Sequence, residues 1–423
     1  MIPPPPPLFS SLGKHLREPV ITDLMTRVID DPELLSLAAG FTDTSTLPAA
    51  MIGQAVQSIL NRPGPPESLQ YGPNQGRAGL REAITRLLSA QPGEVDGTFL
   101  PELTLVTNGS QQALYLAIQT LCDPGDIVLV EDPTYFVFLE MLRGMGVEAR
   151  AIPCHEDGAP DLDRLDAFRL ELEKEGVWQR VKVLYLVSYF SNPSSRSLKA
   201  HEKDRLGQWI SEAGHVVALI EDAAYRDLYF GATPWPTPSG LAFPWASRLP
   251  VLYLGTLDKP FAAGLKVGFA VANEPTWLAR MCFAKGHQDF GSAHFPQAIL
   301  ETLLINDDYS RHVEPLRRHY ETKAQITGEA LSASGLADYG WIWNQPAGGL
   351  YFWLRGPEEA DTRLDGPLAS AALDRHVIYV PGDLCHASGT PWNHIRLSFG
   401  NLDRTKLPEA VHRLAEAIKH CST

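Results

Sequence analysis

The sequence predicts an α/β protein: a three-layer αβα large domain built on a mostly parallel sheet, with a smaller α+β domain after it. Three observations carry this. Short apolar runs without polar alternation recur from about residue 100 to 290, helical patterns lie between them, and the C-terminal part mixes strands and helices. Leu103-Thr104-Leu105-Val106 precedes a helical stretch from Ser110 to Leu121, and Asp126-Ile127-Val128-Leu129-Val130 leads to another at Phe136–Met141. Further runs fall at Val183–Val187, Val216–Ile220, Val251–Leu254 and Val267–Val271. Runs this short, β-branched and unalternated suit strands covered on both faces, hence a parallel sheet with helical crossovers. Such open sheets take ligands beyond the carboxyl ends of their strands. A long helical pattern from Arg311 to Ser332 leaves this domain. Strands at Tyr351–Leu354, Val377–Val380 and Ile395–Phe399 follow, and the last helix sets Leu407, Val411, Leu414, Ala415 and Ile418 at helical spacing. The expected division is an arm at 1–36, a large domain at 37–310 and a small domain at 311–423, with the N-terminal segment packing on the small domain.

The chain has 423 residues and a net charge of -14, which disfavours nucleic acid or an anionic membrane as a partner. Five scattered cysteines (Cys122, Cys154, Cys282, Cys385, Cys421) make no CxxC or Cys/His cluster. They read as reduced thiols of a cytoplasmic protein, with neither a disulfide framework nor a metal site. No apolar stretch reaches membrane-spanning length, and no signal-peptide pattern opens the chain. Pro3–Pro7 form a stiff polyproline II arm, either a disordered tail or a strap over a neighbouring subunit.

The chemistry gathers at the ends of these runs. Lys259 follows Val251-Leu252-Tyr253-Leu254-Gly255 on a Gly- and Pro-punctuated turn, where an amine is a candidate nucleophile. Asp222 closes the run Val216–Ile220. A lysine and a carboxylate, each at the end of a buried strand, match what pyridoxal 5'-phosphate needs: an amine for its aldehyde and an anion for its ring nitrogen. Thr107-Asn108-Gly109-Ser110-Gln111 joins a strand to a helix, and its N–H groups could hold a phosphate; an ordinary Ser cap fits that turn as well. Tyr135 could stack on a flat ring or simply pack, and Asn192 could donate a hydrogen bond or merely mark a turn. Tyr225 sets a phenol three residues after Asp222. Arg396 could clamp a carboxylate or decorate a surface edge strand.

Taken in order, these residues resemble fold-type I PLP-dependent aminotransferases of class I/II, over nearly the whole chain from Leu37-Ala38-Ala39-Gly40 to Phe399-Gly400. The branch they resemble most is that of aminoadipate aminotransferases and of the aminotransferase half of GntR-type regulators. The resemblance implies a homodimer with shared sites, in which Tyr71 of Gln70-Tyr71-Gly72-Pro73-Asn74 reaches a phosphate across the interface. It also implies that Ser110 and Gln111 cradle the phosphate and that Tyr135 stacks on the ring. Asn192 and Tyr225 would share its 3-oxygen, Asp222 its ring nitrogen, and Lys259 would be the Schiff-base lysine. Lys266 would neutralise the phosphate, while Gly40, Asn192 and Arg396 would face the substrate. A DNA-binding domain ahead of Leu37 is not expected, since only a short stretch precedes it. Three departures stand out: Asn192-Pro193-Ser194-Ser195 where the family has Asn-Pro-Thr-Gly, Asp258 where Ser or Thr precedes the lysine, and Ala263-Gly264-Leu265-Lys266 where Pro-Gly-Leu-Arg follows. They are either structural drift or a sign of altered chemistry. The expected activity is therefore transamination of an α-amino acid, with PLP-dependent β/γ-elimination, replacement or cyclisation as the alternative.

Overall fold

The computed structural model describes residues 8–231 and 236–422; the Pro3–Pro7 run lies outside them. The first strand, β1 (Leu35–Ser36), is followed by the seven strands of the main sheet: β2 (Thr104–Thr107), β3 (Ile127–Val130), β4 (Glu148–Ala151), β5 (Val181–Val187), β6 (Ala218–Asp222), β7 (Val251–Thr256) and β8 (Gly268–Ala272). Their order is β2-β8-β7-β6-β5-β3-β4. The pairs from β7 through β6, β5 and β3 to β4 are parallel, whereas β8 runs antiparallel to both β7 and β2.

Both faces of this sheet are covered, which explains the unalternated runs. Along β5, Val183, Tyr185 and Val187 share a core with the helices Gly109–Leu121 and Phe136–Gly144. Leu184 and Leu186 point the other way, into a core with Leu206, Trp209 and Ile210 of the helix Ala200–Ser211. Each such side chain contributes about 1.5–3 kcal/mol by leaving water. Two sheet features differ from the pattern of apolar runs. The edge strand β4 reads Glu-Ala-Arg-Ala and is only half-buried, so it carries no apolar run. The reversal of β8 is set by a tight return from β7, which leaves no length for a crossover helix. The run Val216–Ile220 also starts later than its composition suggests, with Val216 exposed and the strand opening at Ala218.

The helix Asp308–Ala333 leads to the second sheet, made of β9 (Ile342–Trp343), β10 (Tyr351–Arg355), β12 (Val380–Pro381) and β13 (His394–Ser398), all antiparallel in the order β12-β13-β10-β9. The run Val377–Val380 is split: β11 (Val377–Ile378) pairs with β1, Leu35 opposite Val377, and the chain then crosses to the second sheet as β12. The closing helix Leu407–Cys421 buries Leu407, Val411, Leu414, Ala415 and Ile418. Among the described residues, no helix is long and apolar enough to cross a membrane.

Candidate active site

Five strand ends converge on one cavity of about 200 Å³. The turns after β2 (Gly109–Gln111), β3 (Tyr135), β5 (Asn192) and β7 (Thr256, Asp258, Lys259) line it, together with Asp222 at the end of β6. Their strands all run the same way, so their carboxyl ends meet at one edge. Because β8 is reversed, Lys266 arrives there just before its strand rather than after it.

One end of the cavity is an anion cradle. Gly109 opens the helix Gly109–Leu121 at φ +67, and its N–H donates to the Lys266 carbonyl at 3.1 Å. A Cβ on Gly268 would lie 2.4 Å from the Gly109 carbonyl carbon and 2.5 Å from the Ser110 nitrogen, so the two backbones meet only because residue 268 is glycine. Ser110 is the second helical residue and does not cap the helix, which removes the ordinary Ser-cap reading; no side-chain cap is formed there. The first-turn amides and the positive end of the dipole therefore face the cavity. Behind them, Asn108 Nδ2 and Gln112 Nε2 donate to Asp289 Oδ2 at 3.1 and 3.0 Å, fixing the turn to the helix Pro275–Asp289.

Asp258 also belongs to this end. It is buried, its Oδ1 accepts from the Val267 N–H at 3.0 Å, and its Oδ2 lies 2.9 Å from where a Gly109 Cβ would stand. Burial pushes its carboxyl up to about 6, against the pull of Lys266 and then Lys259. Lys266 itself is exposed, in a left-handed backbone at φ +55. Lys259 sits in the π-turn Asp258–Ala262, and its Nζ donates to the Gly40 carbonyl.

The other end is organised around Asp222. Its Oδ2 accepts from the Tyr185 hydroxyl at 2.9 Å and its Oδ1 from the Ala224 N–H at 3.0 Å, yet burial pushes it up to about 6, with no cation of the described residues among the causes of the shift. Tyr135 lines the cavity, and burial pushes its phenol up. Arg396 is 1% exposed, on a strand paired on both sides, so the surface-edge reading fails. Its guanidinium donates to Asn192 Oδ1 at 2.8 Å and to the Ala38 carbonyl at 2.6 Å, while its Nε has no partner. The Tyr225 hydroxyl lies 2.9 Å from that of Tyr351.

A pyridoxal phosphate fits this donor set. The cradle of free amides suits its phosphate, the uncompensated Asp222 its ring nitrogen, and Lys259 its aldehyde. Of the residues singled out from the sequence, Gly40, Arg396 and Tyr71 do not line the cavity. Gly40 and Arg396 are each bonded to a residue that does, Lys259 and Asn192, whereas Tyr71 is 77% exposed, edge-on to Phe290 at 5.7 Å. Sequence reading missed Tyr185, Thr256 and Tyr351. Tyr185 left a signal, since a phenol inside an aliphatic strand needs a partner for its hydroxyl.

Residues 32–414 match the family described as aminotransferase class I and II. A 2-aminoadipate transaminase of Thermus thermophilus is 34% identical over 411 residues, covering 97% of this chain and 96% of that protein. A solved α-aminoadipate aminotransferase of the same species, complexed with N-(5'-phosphopyridoxyl)-L-leucine, is 31% identical with a TM-score of 0.82, covering 97% of each chain. A kynurenine aminotransferase of Pyrococcus horikoshii, solved with PMP, is 28% identical with a TM-score of 0.86 and covers 98% of this chain and 97% of its own.

Proposed function

The chain belongs to the aminotransferase class I and II family and is a PLP-dependent aminotransferase, and from that premise we propose the roles of its residues. Lys259 would hold the aldehyde carbon of the cofactor, the Ser110 and Gln111 amides its phosphate, Asp222 its ring nitrogen, and Asn192 and Tyr225 its 3-oxygen. Bound there, pyridoxal phosphate supplies a sink for the electron pair left at the substrate Cα. Arg396 orients the substrate by its α-carboxylate, using an Nε and a guanidinium face already desolvated within the fold. Asn192 keeps that guanidinium in plane. Lys259 Nζ would be the base that takes up the substrate's Cα proton and holds it for return. Asp222 keeps the ring-nitrogen proton in place, a task its isolation from other cations suits. The observation that carries this reading is the convergence of Lys259, Asp222 and the Gly109–Gln111 turn on one cavity. Lys259→Ala should abolish both the visible absorbance of the holoenzyme and its turnover; a variant keeping either would overturn the assignment. Turnover of the wild-type enzyme should also require a keto acid, and turnover without one would point to elimination or replacement.

The substrate side chain is read from an adjoining apolar cavity. Phe41 lines both cavities, and Ile21, Leu24 and Val28 of the helix Val20–Asp30 cover the second with Ala38 and Ala39, among the described residues. Uncharged, apolar amino acids are therefore the proposed substrates. The kcat/KM for leucine or phenylalanine should exceed that for 2-aminoadipate by about tenfold or more; the reverse order would refute this. Tyr71 and Phe290, both strongly exposed, support a homodimer in which Tyr71 completes the partner's site, testable by light scattering of the purified enzyme. Five free cysteines suit a reducing, cytoplasmic compartment.

A further inference from the structure

Tyr351 joins three groups that the reaction needs in register. Its hydroxyl lies 2.9 Å from that of Tyr225. Its ring carries the Arg396 guanidinium, whose carbon stands 4.4 Å from the ring centroid. The same hydroxyl would stand 2.8 Å from a Cβ on Gly40, whose carbonyl accepts from Lys259. Tyr351 is 1% exposed and opens β10, directly opposite Ser398 and two residues from the partner of Arg396. Its backbone is fastened from the large domain, where Ser195 Oγ donates to the Tyr351 carbonyl at 2.7 Å.

Ser195 makes that bond from a left-handed backbone, φ +54, a conformation that favours glycine and disfavours a side chain with a Cβ. A serine kept there carries backbone strain of order 1 kcal/mol. The hydroxyl that comes with it reaches one carbonyl, and that carbonyl is Tyr351's. The departure at Asn192-Pro193-Ser194-Ser195 thus has a geometric consequence.

We propose that Tyr351 is a positioning residue of the transamination, which directs the Tyr225 hydroxyl and sets the plane of Arg396, and that Ser195 anchors it across the domain boundary. The inference rests on the roles proposed above for Tyr225 and Arg396. For Tyr225 to donate to the cofactor's 3-oxygen, its own oxygen must be the acceptor in the phenol pair, so Tyr351 donates to it and strengthens it as a donor. The ring acts separately, by holding the cation flat.

Two variants divide these parts. Tyr351→Phe keeps the ring and removes the hydroxyl. The 3-oxygen then holds its negative charge less well, so protonation beside it persists to higher pH, and the pH midpoint of the visible absorbance should rise by about one unit. The KM for the amino acid should stay within about twofold. Tyr351→Leu removes the ring and should raise that KM by about tenfold, in line with a lost cation–π contact. Ser195→Gly relieves the strained backbone and frees the carbonyl; it should raise Tm while moving the absorbance midpoint in the direction of Tyr351→Phe. If Tyr351→Leu fails to fold, the other two variants still decide the matter. A Tyr351→Phe midpoint equal to wild type, in a protein whose absorbance is lost in Lys259→Ala, would overturn the role of Tyr351 alone. Absorbance surviving in Lys259→Ala would instead overturn the reading it rests on.

Discussion

Two buried carboxylates, Asp222 and Asp258, line the same cavity, and burial pushes both up to about 6. Their surroundings differ. Asp222 ends a central strand, takes hydrogen bonds from Tyr185 and Ala224, and has no cation of the protein among the causes of its shift. Asp258 sits on a turn beside Lys266 and Lys259, with one oxygen on the Val267 N–H and the other 2.9 Å from where a Gly109 Cβ would stand. An equal shift therefore does not mean an equal role. A carboxylate isolated from cations is poised to keep a ring nitrogen protonated, whereas one set in an anion cradle competes with the phosphate for the same positive field.

The largest test of that contrast is catalytic. Asp222→Asn should lower kcat/KM by about 10²–10³, the scale for removing a preorganised electrostatic partner, while Asp258→Asn should lower it far less. Similar losses in steady-state assays would erase the distinction. Next comes stability of the cofactor-free enzyme. Folded Asp222 keeps its proton to about pH 6, against an ordinary value of 3.8 when unfolded. Between those values the native state binds more protons, so its stability falls as pH rises, by roughly 3 kcal/mol at about 1.4 kcal/mol per unit. Asp222→Asn should therefore raise the Tm of the apoenzyme at pH 8 and leave it unchanged at pH 4. A stabilisation equal at both values would show that the charge is not the cause.

The smallest expected effect concerns the cradle. Asp258→Ser removes a negative charge beside the phosphate site and should tighten cofactor binding by about three- to tenfold, as 1 kcal/mol or so of lost repulsion implies. Titrating apoenzyme with pyridoxal phosphate measures it. Weaker binding would mean that Asp258 chiefly supports the turn through Val267. Lys266→Arg in the same titration should change affinity less, because Lys266 is exposed and acts as a point charge.

These tests bear on how much of the site can be read without the fold. The strands of the main sheet are legible because burial on both faces imprints continuous apolar runs. β4 is not, since a half-buried edge reading Glu-Ala-Arg-Ala leaves no such imprint. Lys259, Asp222 and the Gly109 turn are legible because each is an odd residue type at the end of a run. Tyr351 and Ser195 look like ordinary strand and turn residues; Tyr351 meets Tyr225 from 126 positions away in the chain, and Ser195 meets Tyr351 from 156.

By itself, then, the order of residues determined the α/β layering and which lysine, carboxylates and turns stand at strand ends, because burial and backbone preference are written locally. Only the tertiary structure decided the reversal of β8, the burial of Arg396, the isolation of Asp222 and the nearness of Asp258 to the cradle. Those depend on which surfaces meet, and a hydrogen bond or a desolvated charge between distant residues has no local signature.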